Sequence, residues 1–317
     1  MDISYLLFLQ NFRASIHDAW TPFFENLSQF AVTYLIFIPA FIYWCVNKRK
    51  GLFTLGSYAV SVMVTSVLKL TACVYRPWIR DARILPAGDA ITSATGYSFP
   101  SGHTTTATPI YGGMAVGFWD KKSTRWLSIL CVFLILLTGF SRNYLGVHTP
   151  QDVAVGFLVG IAALVFVSRV FRYLEKNPQQ EDKFLLGGFI LCIVAITYII
   201  YKPYPMDYID GKLVVDPQKM MNDGFKDIAV LAAFCVGRFI EKRWVRFQAT
   251  GLTVKGIVFG LIGLVPLYCI LFLLKGLCIH WMGPHWGRAA FVSLAIIYIL
   301  ALYPWVLKYV CPPKKTN

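Results

Sequence analysis

Charge is scarce in this chain, and acidic charge is scarcest. Only 15% of its 317 residues are charged, with 16 Asp+Glu against 30 Lys+Arg, whereas a soluble domain carries roughly 25%. An ordinary soluble domain is thereby excluded. Cysteine occurs eight times but never as a C-x-x-C pair or at framework spacing, and Cys45, Cys131, Cys192, Cys235 and Cys269 lie inside apolar runs. A disulfide scaffold and a zinc module are both excluded. The sequence has no internal repeat and no low-complexity segment. What it has instead is 57% hydrophobic and 16% aromatic residues and a mean hydropathy of +0.58, arranged in long uncharged blocks rather than at amphipathic spacing. Most of that apolar surface must face lipid, so the expected fold is all-α, a polytopic membrane helix bundle. The net charge of +14 is spread as short clusters between the blocks. It reads as membrane topology, and no nucleic-acid partner is expected.

A spanning helix needs about 20 mainly apolar residues. Nine such blocks can be laid along the chain, at 30–46, 51–75, 101–119, 126–140, 153–168, 184–201, 222–240, 256–274 and 289–307. The seventh is the weakest, because it carries Lys226, Asp227 and Arg238. Basic clusters follow the odd-numbered blocks: Lys48-Arg49-Lys50, Lys121-Lys122 with Arg125, Arg169 with Arg172, Lys176 and Lys183, Lys242-Arg243 with Arg246, and Lys314-Lys315. Positive loops stay cytoplasmic, which puts the N-terminus outside and the C-terminus inside a plasma or inner cell membrane. Without the seventh span, Lys242-Arg243 would share a side with the loop 202–222. Residues 1–28 mix a short apolar run with Asp2, Arg13, His17 and Asp18. They are too short to span and lie too far from a small-residue cleavage site for a signal peptide, so an interfacial helix is expected. The implied division is an interfacial helix at 1–28, a core at 29–180 carrying the polar motifs, and a further transmembrane region at 181–317 with no legible role. Trp44, Trp119, Trp126 and Tyr201 near block ends form the expected aromatic belt.

This topology gathers three polar segments on the outer face. Outer loops should be poor in bases, yet these hold Lys69, Arg76, Arg80, Arg83 and Arg142, which implies another task. Snorkelling would account for Lys69 alone. In Pro100-Ser101-Gly102-His103 a helix begins with exposed backbone N–H groups, the kind of N-terminus that binds anions. A plain helix start explains Pro100 and Ser101 but not the histidine. In the segment 141–152, Thr149 is a candidate N-cap, Pro150 the first helical residue and Asp152 an acidic capping-box partner. The same turn holds His148, near enough for Asp152 to accept its ring N–H, fix the tautomer and leave the other nitrogen as base or nucleophile.

Three fixed cations, a helix N-terminus and two histidines on one face match what phosphoryl transfer demands: held and neutralised oxygens, a nucleophile and a proton donor in line. His148 and Asp152 at i, i+4 could also ligate a metal. With only five histidines and few carboxylates, beside three bases that would repel it, no metal and no cofactor are expected. Spacing does not say which histidine attacks and which protonates.

This pattern resembles the type 2 phosphatidic acid phosphatase family, membrane enzymes with the motifs K-x6-R-P, P-S-G-H and S-R-x5-H-x3-D. They stand here as Lys69 to Arg76-Pro77, as Pro100-Ser101-Gly102-His103, and as Ser141-Arg142, His148 and Asp152, within roughly residues 50–170. The resemblance implies that Lys69, Arg76 and Arg142 bind phosphate oxygens with help from Ser101 and the Gly102 backbone. It further implies that His148 is the nucleophile forming a phosphohistidine, Asp152 its orienting partner and His103 the acid that protonates the leaving alcohol. The family usually has a six-helix core; only five blocks precede residue 169 here, so the N-terminal helix or the sixth block must complete it. His280 and His285, beside Trp281 and Trp286 in the last outer loop, read as interfacial residues.

The expected function is hydrolysis of a lipid phosphate or diphosphate, with the bilayer and that lipid as partners. Candidate substrates are phosphatidate, lysophosphatidate, phosphatidylglycerophosphate, polyprenyl diphosphate and sphingoid phosphates. A phosphotransferase would use the same phosphohistidine with an acceptor other than water. A transporter would need paired broken helices, which are not visible, and a dead scaffold would have lost His103, His148 or Arg142. The oligomeric state is left open by the sequence.

Overall fold

Each apolar block lies largely in helix in the computed structural model, which describes residues 2–94 and 96–311. The basic pair Lys314-Lys315 lies outside the described residues. In chain order the elements are α1 (Asp2–Ser15), α2 (Thr21–Thr33), α3 (Phe37–Phe41, continued by a π turn to Val46), α4 (Lys48–Ala72), the short α5 (Pro77–Arg80) and α6 (Ala90–Ser93), α7 (Gly102–Trp119), α8 (Arg125–Tyr144), α9 (Pro150–Lys176) and α10 (Glu181–Tyr201). A hairpin of β1 (Tyr208–Ile209) and β2 (Lys212–Leu213), paired antiparallel, leads to α11 (Pro217–Ile240), α12 (Val254–Tyr268), α13 (Leu274–Ile297) and α14 (Tyr303–Val310). The protein is an all-α membrane helix bundle.

Among the described residues, five helical stretches can cross a membrane by length and apolarity, or six if α2 and the α3 stretch, bent by 45°, form one span. The expected nine are not reached on that measure, for identifiable reasons. α7 opens on His103 and a run of threonines, and α11 carries Lys219, Asp223, Lys226, Asp227 and Arg238. The stretch Val254–Val310 counts once although it has 57 residues, which at a helical rise of 1.5 Å is roughly 85 Å, far more than one bilayer core. It turns at Gly283, whose φ of 76° only glycine adopts readily. The loop expected around His280 and His285 is therefore helical on both sides of that turn, and His285 and Trp286 pack edge-on against Phe225 of α11.

α4 is the central helix. Of its most apolar window 67% is buried, against 17–33% in the other spans, and it packs on α7, α9 and α11. The Asn47 side chain caps it by accepting from the Lys50 N–H at 3.0 Å, and it stops at Cys73, in left-handed conformation with φ 48°. At its N-terminal end Lys48 pairs with Glu241 at 2.5 Å, Lys50 with Asp120 at 2.8 Å, and Arg49 with Glu175. Lys242 meets Asp182 at 2.8 Å. The basic loops expected on one side thus converge at one end of the bundle. Lys69 stands about 30 Å away along the same helix axis.

α7 contains Pro109, which lacks an N–H and would leave the Thr105 carbonyl unpaired. Ser61 of α4 donates its hydroxyl to that carbonyl at 2.7 Å, joining the two helices where the proline breaks the ladder. α11 also packs on α4, with Phe225 and Ile228 in one core with Val62, Met63 and Leu70. Gly224 makes this approach possible: a Cβ there would come within 2.7 Å of Leu70 Cδ1. Lipid tails are as apolar as these side chains, so close packing of this kind is what associates the helices.

Candidate active site

Three helix ends deliver the motif residues to one end of the bundle. The last turns of α4 carry Lys69, and Arg76 follows four residues after the helix stops. The first turn of α7 carries His103, preceded by a cis Phe99–Pro100 peptide. The junction of α8 and α9 carries Arg142 and His148. That junction is tight: Gly146, at φ 71°, reverses the chain so that the Val147 and His148 N–H groups both return to the Arg142 carbonyl, at 3.2 and 3.3 Å. Asn143 holds the His148 carbonyl at 2.9 Å. α9 then starts with the expected capping box, Thr149 N–H donating to Asp152 Oδ2 at 2.8 Å and Asp152 N–H to Thr149 Oγ1 at 3.3 Å.

His148 is 2% exposed. Its Nε2 faces Arg76 Nη1 at 2.9 Å, and its Nδ1 faces Asp152 Oδ2 at 3.4 Å. A guanidinium can only donate, so Nε2 is the accepting nitrogen and the ring proton sits on Nδ1, toward the carboxylate. Burial, and then the Arg76 charge, hold this imidazole well below its ordinary pKa, against the opposing pull of Asp152. It is neutral with its Nε2 lone pair directed at the cation cluster. Arg76 is itself fixed by the Val147 carbonyl at 2.9 Å and the Gly96 carbonyl at 3.0 Å. Lys69 Nζ donates to the carbonyls of Tyr97, Ser98 and Pro100 at 3.1, 3.2 and 2.7 Å, and so clamps the loop that precedes α7.

Arg142 is buried at 1% exposure. Its Nη1 donates to Ser28 Oγ of α2 at 2.9 Å, while Nε and Nη2 are buried without a partner, as is His103 Nε2. Among the charges acting on His103, that of Arg142 is the strongest, ahead of His148, Arg76 and Lys69. A cavity of about 330 Å³ opens beside them, lined by Lys69, Arg76, Gly102, His103 and His148. Ser101 and Arg142 do not line it. Ser101 is fully buried, its N–H on the Asp152 carbonyl at 3.0 Å and its Oγ accepting from Thr104 at 3.0 Å. The structure thus gives Ser101 a place in the joint between α7 and α9 rather than on the cavity wall. Arg80 and Arg83 are not brought in either: they pair at the surface with Asp2 at 3.0 Å and Asp81 at 2.7 Å.

Some residues of the site carry no signal in the sequence. Ser98 Oγ donates to Asp152 Oδ2 at 2.5 Å and lies 3.4 Å from His148 Nδ1, so it shares the carboxylate with the imidazole. Only its place two residues before Pro100 could have hinted at this. Ser28 reaches Arg142 from 114 residues away in sequence. The N-terminal segment is tied to the site by Arg13, which donates to the Tyr144 carbonyl at 2.9 Å and the Leu85 carbonyl at 2.7 Å. The region after residue 181 supplies Asp223, Lys226, Asp227 and Arg288 to the same cavity wall.

Comparison with known proteins bears on this arrangement. The family model of the PAP2 superfamily matches residues 50–176, the stretch that holds every motif residue named above. Phosphatidylglycerophosphatase B of Bacillus subtilis is 28% identical over 159 residues, 49% of this chain and 73% of that protein. A probable sphingosine-1-phosphate phosphatase of Dictyostelium discoideum is 22% identical over 222 residues, 64% of this chain and 50% of that protein. Undecaprenyl-diphosphatase of Sulfolobus acidocaldarius is 28% identical over 139 residues, 42% of this chain and 62% of that protein. No solved structure matches.

Proposed function

We propose, from the premise that residues 50–176 make this chain a member of the PAP2 superfamily, that it is a membrane phosphatase hydrolysing a lipid phosphate through a phosphohistidine. The observation that carries this reading is the set of unpartnered polar atoms, Arg142 Nε and Nη2 and His103 Nε2, buried around the neutral His148 next to a cation-lined cavity. A tetrahedral oxyanion is the ligand such donors lack. Several matching relatives are named for lipid phosphates or diphosphates and others for glucose 6-phosphate; the apolar helices around the site favour a lipid as the carrier of that group.

In this reading His148 Nε2 leaves Arg76 and attacks phosphorus, forming the N–P bond as the ester P–O bond breaks. Arg76 follows the phosphate oxygens, joined by Lys69, Arg142 and the Gly102 N–H at the start of α7, where a helix N-terminus favours an anion. His103 protonates the departing alkoxide. The same His103 then takes a proton from water as it attacks the phosphohistidine, returning Nε2 and releasing inorganic phosphate. Asp152, held by Ser98 and the Thr149 N–H, keeps the ring proton on Nδ1. The fixed bases supply the neutralising charge, so the reaction runs without metal.

The site lies at the end of the bundle opposite the basic loops, and we assign it to the extracytoplasmic face of the cell membrane on that ground. The test is inorganic phosphate release by purified protein in detergent with chelator, over a panel of lipid phosphates and diphosphates. Release from at least one lipid supports the reading. Formation of a new phosphorylated lipid in place of free phosphate would mean transfer to another acceptor, and neither product from any member would refute it.

A further inference from the structure

The cavity has a second polar wall, which the motifs do not explain and whose four charged residues lie outside the stretch matched by the family. Asp223, Lys226 and Asp227 of α11 and Arg288 of α13 line it together with Ser66 of α4. They form a closed network: Lys226 Nζ lies 3.5 Å from Asp223 and 3.4 Å from Asp227, and Arg288 Nη1 lies 3.2 Å from Asp223. Ser66 donates to Asp227 Oδ2 at 2.5 Å. Ser66 and Lys69 are neighbours on one face of α4, three residues apart, so the serine that holds Asp227 is about one helical turn from the phosphate-side lysine. Both walls line the same cavity, so an ester whose phosphate meets Lys69 presents its alcohol to the second.

We propose that this wall is a specificity subsite for the leaving alcohol and selects one that carries hydroxyl groups next to the phosphate, a glycerol-like or other polyol head group. The inference rests on the phosphatase reading and deepens it. Two acids and two bases cancel, so the wall offers no net attraction to a second phosphate or to an ammonium group. It offers alternating donors and acceptors, and Arg288 Nε is buried there without a partner. Hydroxyls, which both donate and accept, complement such a surface, whereas a bare alkyl or prenyl chain would leave Arg288 Nε unpaired. The cavity, at about 330 Å³, is at the small end of ligand pockets and suits a head group, with the acyl chain outside it in lipid.

The test compares lysophosphatidate with an alkyl phosphate of the same chain length on the purified full chain. Wild type should prefer lysophosphatidate in kcat/KM by at least tenfold, and Asp227→Asn should reduce that ratio toward one. An unchanged ratio in Asp227→Asn, even with both rates lowered, would mean a structural role and overturn the proposal. Ser66→Ala, which removes only the hydrogen bond aiming Asp227, should narrow the ratio in the same direction if Asp227→Asn fails to fold. Binding of the two corresponding phosphonates needs no turnover and separates this proposal from the phosphatase reading. Tighter binding of the hydroxylated phosphonate to wild type, lost in the variants, supports the subsite even if no phosphate is released. Equal binding of the two overturns it whether or not the protein is a phosphatase.

Discussion

Replacing Arg142 by lysine keeps the charge and removes the fork, and the structure sets the size of the effect. The guanidinium is 1% exposed and is anchored at one end only, by Nη1 to Ser28 at 2.9 Å, which leaves Nε and Nη2 as two parallel donors. A phosphate group can accept both at once, whereas an ammonium on a flexible stem offers one compact charge and cannot also hold Ser28. Losing one charge-assisted hydrogen bond costs about 1.5–3 kcal/mol. At 1.36 kcal/mol per factor of ten this lowers kcat/KM roughly 10- to 150-fold. The assay is phosphate release from the best lipid of the panel, with thermal unfolding in detergent to verify that the variant is folded. Ser28→Ala should cost less, because it frees the guanidinium without removing it, and the two changes should be non-additive since they act through one contact. A folded Arg142→Lys protein within about threefold of wild type would refute the fork and reduce Arg142 to a source of field.

Activity should survive EDTA, because Lys69, Arg76 and Arg142 already supply the positive charge; an enzyme silenced by chelator and restored by Mg²⁺ would contradict this. With the natural cysteines removed, a cysteine at the exposed Lys212 of the β hairpin should react with an impermeant thiol reagent on intact cells. Labelling only after the membrane is opened would invert the assigned topology. Ser98, in the site loop, is too buried at 1% exposure to report on sidedness. His148 also makes a pH prediction. Its pKa is depressed in the fold from an ordinary value of about 6.5, so its stability contribution is full above that value and is lost as pH falls below it toward the depressed pKa, where the unfolded chain takes up the proton first. Between pH 7 and 5 the Tm of wild type should fall relative to that of His148→Gln, and a relative rise would contradict the burial of a neutral ring.

The helical membrane fold and the meeting of four motif residues were both legible in the sequence, the second for a local reason. Lys69, Arg76, His103 and His148 come together because each sits at the end of a helix whose start or stop is written locally: Cys73 and Pro77 after α4, Thr149-Pro150 before α9. Capping chemistry is short-range and therefore readable. Ser101 went differently because an N-cap position can face the solvent or a neighbouring helix, and only the packing of α7 on α9 decides. Arg80 and Arg83 carried the same topological signal as Arg76, yet paired with nearby Asp2 and Asp81 at the surface. Ser28 and the wall of Asp223, Lys226, Asp227 and Arg288 were invisible because they reach the site through tertiary packing across more than a hundred residues. The charges on α11 weakened it as a spanning block, and the structure places three of them, Asp223, Lys226 and Asp227, on the cavity wall. At Gly283 an apparent outer loop is a turn between helical segments, since a loop without prolonged polar sequence can stay helical up to a single glycine.

The central claim is that His148 carries the phosphoryl group and His103 the proton. Leaving-group protonation matters most for a lipid alkoxide and least for a phenolate. His103→Ala protein given a labelled aryl phosphate should therefore still be phosphorylated, and without its base for water it should accumulate the label as acid-labile, base-stable phosphate. Mapping that label to His148, with none on the His148→Ala protein, is the expected result. Label on His103 in a His148→Ala protein would reverse the assignment, and no phosphoenzyme in His103→Ala protein that still cleaves the aryl ester would contradict the covalent mechanism.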